Sequence, residues 1–154
     1  MIIIARIDER LIHGQVAYAW SVAYKCEAIM VIDDEVAKDD FQKSLLQLAC
    51  PPQIKCLIYD EDKAVEMLKK YEKRKIFIVV KHPKPLLRLA KDDVGLTSVN
   101  VGGLYYKEGR RPLAKTIYVD EELEQVFREL NQLGVKLETR TTPTDPANDL
   151  IRLL

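Results

Sequence analysis

Ile2-Ile3-Ile4-Ala5-Arg6-Ile7 opens the chain. A run this apolar reads as a strand buried on both faces rather than one with a wetted side. Gly14 to Tyr24 follows with Val16, Trp20, Ala23 and Tyr24 at helical spacing, and Ala28 to Ile32 is a second buried strand ending in Asp33-Asp34. Two such strands joined through a helix form the unit from which parallel sheets are built, since the crossover helix covers a sheet face.

The remainder continues the alternation. Val36 to Ala49 reads as a helix with Phe41, Leu45, Leu48 and Ala49 on its inward stripe, stopped by Pro51-Pro52. A third strand spans Ile54 to Tyr59, and Asp60-Glu61-Asp62 then starts a helix with Ala64, Leu68 and Tyr71 inside and a basic, solvated end from Lys69 to Lys75. Ile76 to Val80 is the most apolar strand; His82-Pro83 ends it before a short helix from Pro85 to Lys91 that Gly95 closes. Ser98 to Leu104 is a strand carrying Gly102-Gly103, the segment from Tyr105 to Lys115 holds a Glu108-Gly109 turn, and Thr116 to Val119 resumes as strand. Asp120 caps the last helix, with Glu121 and Glu122 in its first turn, Leu123, Val126, Phe127, Leu130 and Leu133 inward and Gly134 at its end; Val135 to Thr139 is the final strand. The expected fold is α/β: an open, mostly parallel central sheet with helices on both faces, Rossmann-like and doubly wound. With no repeat, low-complexity segment or linker to divide it, the expectation for residues 1–154 is a single domain.

Composition narrows the function. The 24 Lys plus Arg balance 24 Asp plus Glu among 154 residues, so no global positive field would hold a nucleic acid or an anionic membrane. No apolar run approaches the ~20 residues that span a bilayer, and residues 1–30 lack the layout of a secretory signal, which makes the cytoplasm the expected location. Cys26, Cys50 and Cys56 have neither the pairing of a CxxC motif nor the spacing of a zinc ribbon. They read as small apolar residues of a reducing compartment, and no metal is expected.

In open α/β sheets the functional site lies beyond the carboxyl ends of the strands, where strand order reverses, so the loop after the first strand is the first place to search. It reads Arg6-Ile7-Asp8-Glu9-Arg10-Leu11-Ile12-His13-Gly14-Gln15-Val16. His13 falls at the projected N-terminus of the first helix, where free N–H groups and the positive dipole end stabilise an anion and disfavour imidazolium. A neutral imidazole there is a nucleophile; the plain alternative is a cap or a surface histidine. Arg6 and Arg10 flank it and Gly14 lets the backbone come close, which suits a phosphoryl group carried on His13. Asp8 either orients the imidazole and fixes its tautomer or pairs with an arginine. Gly102-Gly103 lacks the spacing of a dinucleotide or phosphate loop; it either allows close backbone approach near the site or, more economically, bends a sheet edge. His82 follows the fourth strand and would share the crevice if strands one and four were neighbours, but it reads better as a variable loop residue. Trp20, Tyr105 and Tyr106 read as packing residues.

The stretch from Arg6 to Val16 resembles the signature RIDxRLIHGQV of the IIB component of the mannose/fructose/sorbose family of the bacterial phosphoenolpyruvate-dependent sugar phosphotransferase system. Val99-Asn-Val-Gly-Gly-Leu104, the Lys107 to Arg111 stretch, and Leu133-Gly-Val135 with Arg140 and Pro143 are similar to later landmarks of that family. The resemblance implies a carrier that takes a phosphoryl group from the histidine of a IIA partner onto His13, through Nδ1, and passes it to a hexose-type sugar held by the IIC and IID membrane permease. It places Arg10 and Arg6 at positions that bind or steer the phosphate and Asp8 at the acid of the loop. It implies no organic cofactor, a protein peripherally associated with the permease, and in some members a homodimer or fusion to IIA. A non-catalytic regulatory homologue is one rival. A histidine-nucleophile phosphatase is another, although Ile12 interrupts the Arg-His-Gly core of such enzymes. Docking twice on one face calls for a partly apolar rim around His13; Leu11 and Ile12 are candidates for that rim or, equally, for the core.

Overall fold

In the computed structural model, which describes residues 1–154, the chain runs β1 (Ile2–Asp8), α1 (Gly14–Ala23), β2 (Ala28–Ile32), α2 (Asp40–Ala49), β3 (Lys55–Tyr59), α3 (Glu61–Lys70), β4 (Ile76–Val80), α4 (Lys84–Lys91) and β5 (Ser98–Gly103). It continues through β6 (Arg111–Ala114), β7 (Ile117–Val119), α5 (Glu121–Gln132), β8 (Lys136–Thr139) and β9 (Asn148–Asp149). Seven strands form one sheet in the order β3-β2-β4-β1-β5-β8-β9, parallel throughout except for β9 against β8. The α/β reading with helices on both faces holds.

Side-chain alternation along β1 sorts the two cores. Ala5 and Ile7 join Ile78, Val101 and the inner faces of α3, α4 and α5. Ile4 points the other way, into a smaller cluster with Trp20 of α1 and Leu46 of α2. The period of two therefore places Arg6 and Asp8 on the α1 side. The chain leaves β1 toward β2 on one side and leaves β5 toward β8 on the other, so β1 and β5, which are hydrogen-bonded neighbours, flank the point of reversal.

Several local expectations are corrected. The helix expected over Val36 to Ala49 is broken: Val36–Lys38 is a 3-10 turn, and Asp39, in extended conformation, caps α2 by accepting from the Gln42 N–H. The break lets Val36 and Leu46 both point inward, and the stripe read as core faces water, with Phe41 73%, Leu45 49% and Leu48 84% exposed. On α1 the inward residues are Ala17, Trp20 and Ser21, while Ala23 is exposed. On α5 Leu133 is half exposed, although Asp120 caps the helix as expected. The strand expected over Thr116 to Val119 is present as Ile117–Val119; it pairs antiparallel with β6 in a separate two-stranded sheet, an edge that suits Pro112. Leu11 and Ile12 belong to the core.

Candidate functional site

Asp8 ends β1, and the next five residues turn the chain sharply into α1. The Leu11 N–H donates to the Asp8 carbonyl at 2.9 Å, and Leu11 takes φ 58°, a left-handed conformation unfavourable for a leucine. Burial of Leu11 and Ile12 beneath the loop offsets that strain and leaves His13 as the N-cap of α1, extended and making no capping bond through its side chain. Gly14, the first helical residue, has φ 42° and open space where a Cβ would stand, so its need for glycine is conformational rather than one of close approach.

Asp8 has no exposed surface. Its Oδ1 accepts from the Arg10 N–H at 3.0 Å and from Arg10 Nε at 3.4 Å; its Oδ2 lies 3.0 Å from His13 Nε2 and 3.4 Å from Arg6 Nη2. Burial opposes the charged carboxylate, but the hydrogen bonds from His13 and the Arg10 amide, with the charge of Arg6, outweigh it and hold the carboxyl below its ordinary range. An ionised carboxylate only accepts, so His13 presents an N–H to it through Nε2, and in the neutral ring that leaves the lone pair on Nδ1. The ring lies at the α1 N-terminus, whose first N–H groups have no partner within the helix.

The two arginines are placed differently. Arg10 is about half exposed, at 53% for its side chain, and reaches the Asp8 carboxylate only through Nε. Arg6 is buried: Nη1 donates to Asn100 Oδ1 at 2.5 Å and to the Arg140 carbonyl at 3.2 Å, and Nη2 faces Asp8. Burial lowers its pKa from the ordinary value against the pull of Asp8. The Arg6 and Arg140 guanidinium carbons lie 5.1 and 5.0 Å from the centre of the Trp20 ring, which stacks on Tyr24; the Tyr24 hydroxyl accepts from Arg140 Nη2 at 2.8 Å.

Gly102 and Gly103 end a central strand rather than an edge, which decides between the two readings of this pair. A Cβ on Gly102 would overlap the Arg6 guanidinium, and one on Gly103 would stand 2.7 Å from Asp8 Oδ1 and from the Tyr105 hydroxyl. Close approach is their reason. Although β1 and β4 are neighbours, His82 is turned to the opposite sheet face from α1, near Glu122 of α5, and its Nδ1 accepts from the Lys84 N–H at the start of α4.

Asn100, Trp20 and Arg140 are the supporting residues that sequence reasoning did not assign. The available signal was a charged or amide side chain inside a strand buried on both faces, which requires a partner across the sheet; Arg6 and Asn100 are register partners. No cluster of three or more His, Cys, Asp or Glu side chains is arranged to hold a metal. A cavity of about 310 Å³ lies beyond Arg140, lined by Gly102, Thr116, Thr139 and Asn148, but neither His13 nor Asp8 lines it.

Residues 2–154 match the family described as the PTS system sorbose subfamily IIB component. The chain belongs to this family. The sorbose-specific EIIB component of Lacticaseibacillus casei is 39% identical over 153 residues, covering 98% of this chain and 93% of that protein. The mannose-specific EIIAB component of Escherichia coli is 36% identical, covering 98% of this chain and 47% of that longer protein. The crystal structure of the IIBSor domain of the Klebsiella pneumoniae sorbose permease superposes with a TM-score of 0.95 at 34% identity, covering 99% of this chain and 95% of that one. This IIB component is accordingly a phosphotransferase, a phosphoryl carrier of the sugar phosphotransferase system. None of its helices is long and apolar enough to cross a membrane.

Proposed function

We propose that His13 carries the phosphoryl group, receiving it at Nδ1 from the phosphohistidine of a IIA protein and yielding it to a hexose-type sugar held by IIC and IID at the cytoplasmic face of the membrane. One observation carries this reading: Asp8, ionised and buried, engages His13 Nε2 at 3.0 Å and leaves Nδ1 as the nucleophile. As the Nδ1 lone pair attacks phosphorus, the donor's P–N bond breaks and its electron pair returns to the donor imidazole. The His13 ring gains positive charge in that step, and Asp8 stabilises it without taking the Nε2 proton. Arg10 supplies guanidinium donors to the phosphoryl oxygens, the α1 N-terminus adds N–H groups that Gly14 helps to present, and Arg6 acts by fixing Asp8. Residues 1–154 work as one unit in this scheme.

The partner face follows from the exposed apolar residues. Tyr18 and Val22 of α1 and Phe41, Leu45 and Leu48 of α2 share the sheet face on which His13 begins its helix. A groove of about 230 Å³, lined by Arg10, Leu11, Gln42, Leu45 and Lys81 among others, joins that patch to the phosphate arginine. An apolar surface with basic accents suits a partner that presents an anionic phosphohistidine.

Incubation with phosphoenolpyruvate, Enzyme I, HPr and a IIA protein of proven competence, followed by intact-mass analysis, tests the reading. One acid-labile phosphoryl group, absent from His13→Ala, is expected. Failure of transfer, or labelling that survives in His13→Ala, overturns it.

A further inference from the structure

Of the two arginines that flank His13 in sequence, Arg6 is buried, whereas the long Arg10 side chain is half exposed and meets Asp8 through Nε only at 3.4 Å. A side chain held so loosely would lose conformational entropy each time it engaged the phosphoryl oxygens. Something else restrains it: its guanidinium carbon lies 5.0 Å from the centre of the Tyr105 ring.

The backbone that carries the ring is held at both its N–H and its carbonyl. The Tyr105 N–H donates to Glu9 Oε1 at 2.6 Å, and its carbonyl accepts from Arg110 Nη1 at 2.7 Å. Glu9 then takes both Arg110 Nη groups at 3.1 Å and Lys107 Nζ at 3.0 Å, so the 105–110 segment is tied to the residue that precedes Arg10. Burial opposes the Glu9 charge, but Arg110, the Tyr105 amide and Lys107 together hold its carboxyl below the ordinary range. On its inner side the ring reaches Gly103, where the absent Cβ leaves room for the hydroxyl. That hydroxyl is buried with no hydrogen-bond partner. A buried hydroxyl without a partner works against stability, so the side chain at this position is better explained by the flat ring it sets under Arg10.

We infer that Tyr105, locked by Glu9 and Arg110, is a positioning residue that presents the Arg10 guanidinium to the phosphoryl group at His13. The inference rests on the proposed role of His13. The guanidinium over the ring makes no hydrogen bond through Nη1 or Nη2, and a cation–π contact restrains the side chain while leaving this fork free for two phosphoryl oxygens.

The test uses the whole chain and phosphoramidate, a donor too small to need a docking face, with labelling of His13 followed by mass spectrometry. Phosphorus passes from the protonated phosphoramidate nitrogen to His13 Nδ1; the donor P–N bond breaks and its electron pair goes to the –NH3⁺ nitrogen, which leaves as ammonia. The variants are Tyr105→Leu, Tyr105→Phe, Arg10→Ala and the pair Arg10→Ala with Tyr105→Leu. Tyr105→Leu is expected to slow labelling about three- to fivefold, and Tyr105→Phe to stay within about 1.5-fold of wild type, since the ring and not the hydroxyl acts. In the Arg10→Ala background Tyr105→Leu should have no further effect, a coupling that simple loss of packing would not produce. Should Tyr105→Leu fold poorly, Glu9→Gln, which loosens the same loop, takes its place with the same coupling expected. Independent, multiplying effects of Arg10→Ala and Tyr105→Leu, or equal losses for Phe and Leu, overturn the inference. Absence of label on His13 in wild type instead removes the reading beneath it.

Discussion

Asp8 Oδ2 lies 3.0 Å from His13 Nε2, and the carboxylate that makes this contact has no exposed surface. A buried anion at that distance selects one tautomer of the ring and, in the proposed transfer, would neutralise the charge that builds on it as Nδ1 bonds to phosphorus. Asp8→Asn keeps the shape but removes the charge and lets an amide N–H face the ring, where it favours the other tautomer. Transfer from IIA should fall by about 10²-fold or more with little change in the donor concentration that half-saturates the rate, measured by single-turnover labelling.

The same carboxylate shapes acid stability. Asp8 and Glu9 both titrate below their ordinary values when folded, in each case because hydrogen bonds and nearby positive charges outweigh burial. A depressed folded value means that the unfolded chain binds more protons near the ordinary carboxylate pKa of about 4, so stability rises with pH there. The contribution is complete above that value and is lost as pH falls through the lower folded values. Urea unfolding between pH 6 and pH 3 is expected to show a steeper acid loss for wild type than for Asp8→Asn; parallel curves would remove Asp8 from the linkage.

Gly102 makes room for Arg6. A Cβ there would overlap the guanidinium, and Arg6 has no slack because Asn100, the Arg140 carbonyl and Asp8 hold it. Gly102→Ala is expected to cost about 2–4 kcal/mol in chemical unfolding and to slow transfer as Arg6 shifts Asp8. Gly109→Ala is the useful comparison: open space surrounds it and only its φ of 90° opposes a side chain, for a cost of about 1 kcal/mol.

The proposed docking role of the apolar α2 face can be separated from folding. Phe41 and Leu48 are 73% and 84% exposed, so Phe41→Asp with Leu48→Asp should leave the unfolding free energy within about 0.5 kcal/mol of wild type. Transfer from IIA should then need several-fold more donor protein, with labelling by phosphoramidate unchanged. A large loss of stability would show that these residues serve the fold after all.

That helix also marks where sequence reading ended. The buried strands from Ile2, Ala28 and Ile76 were legible because continuous apolar runs admit few other structures, and the acidic helix start at Asp60 and the Asp120 cap were legible from local chemistry. The outward stripe of α2 was not, because periodicity reports that apolar residues share a face and is silent on whether protein or water meets it. Nor was the 3-10 break at Asp39, since propensity near a boundary is nearly flat. β9, two polar residues long, has no strand signal of its own and exists only because β8 offers it an edge. At the site, the motif singled out the loop from Arg6 to His13, and the structure brings Arg6, Asp8, Arg10 and His13 together there. The Trp20 and Arg140 stack behind Arg6 joins α1 to the end of β8, residues 120 apart in the chain, and no local pattern connects them.

The proposed transfer turns on which nitrogen of His13 is protonated and which takes phosphorus, and NMR of the two-bond proton–nitrogen couplings in histidine-labelled protein reads both. Before transfer the His13 ring should show the Nε2–H tautomer; after it, phosphorus should sit on Nδ1 with the Nε2 proton retained. An Nδ1–H tautomer, or phosphorus on Nε2 or on His82, would contradict the account.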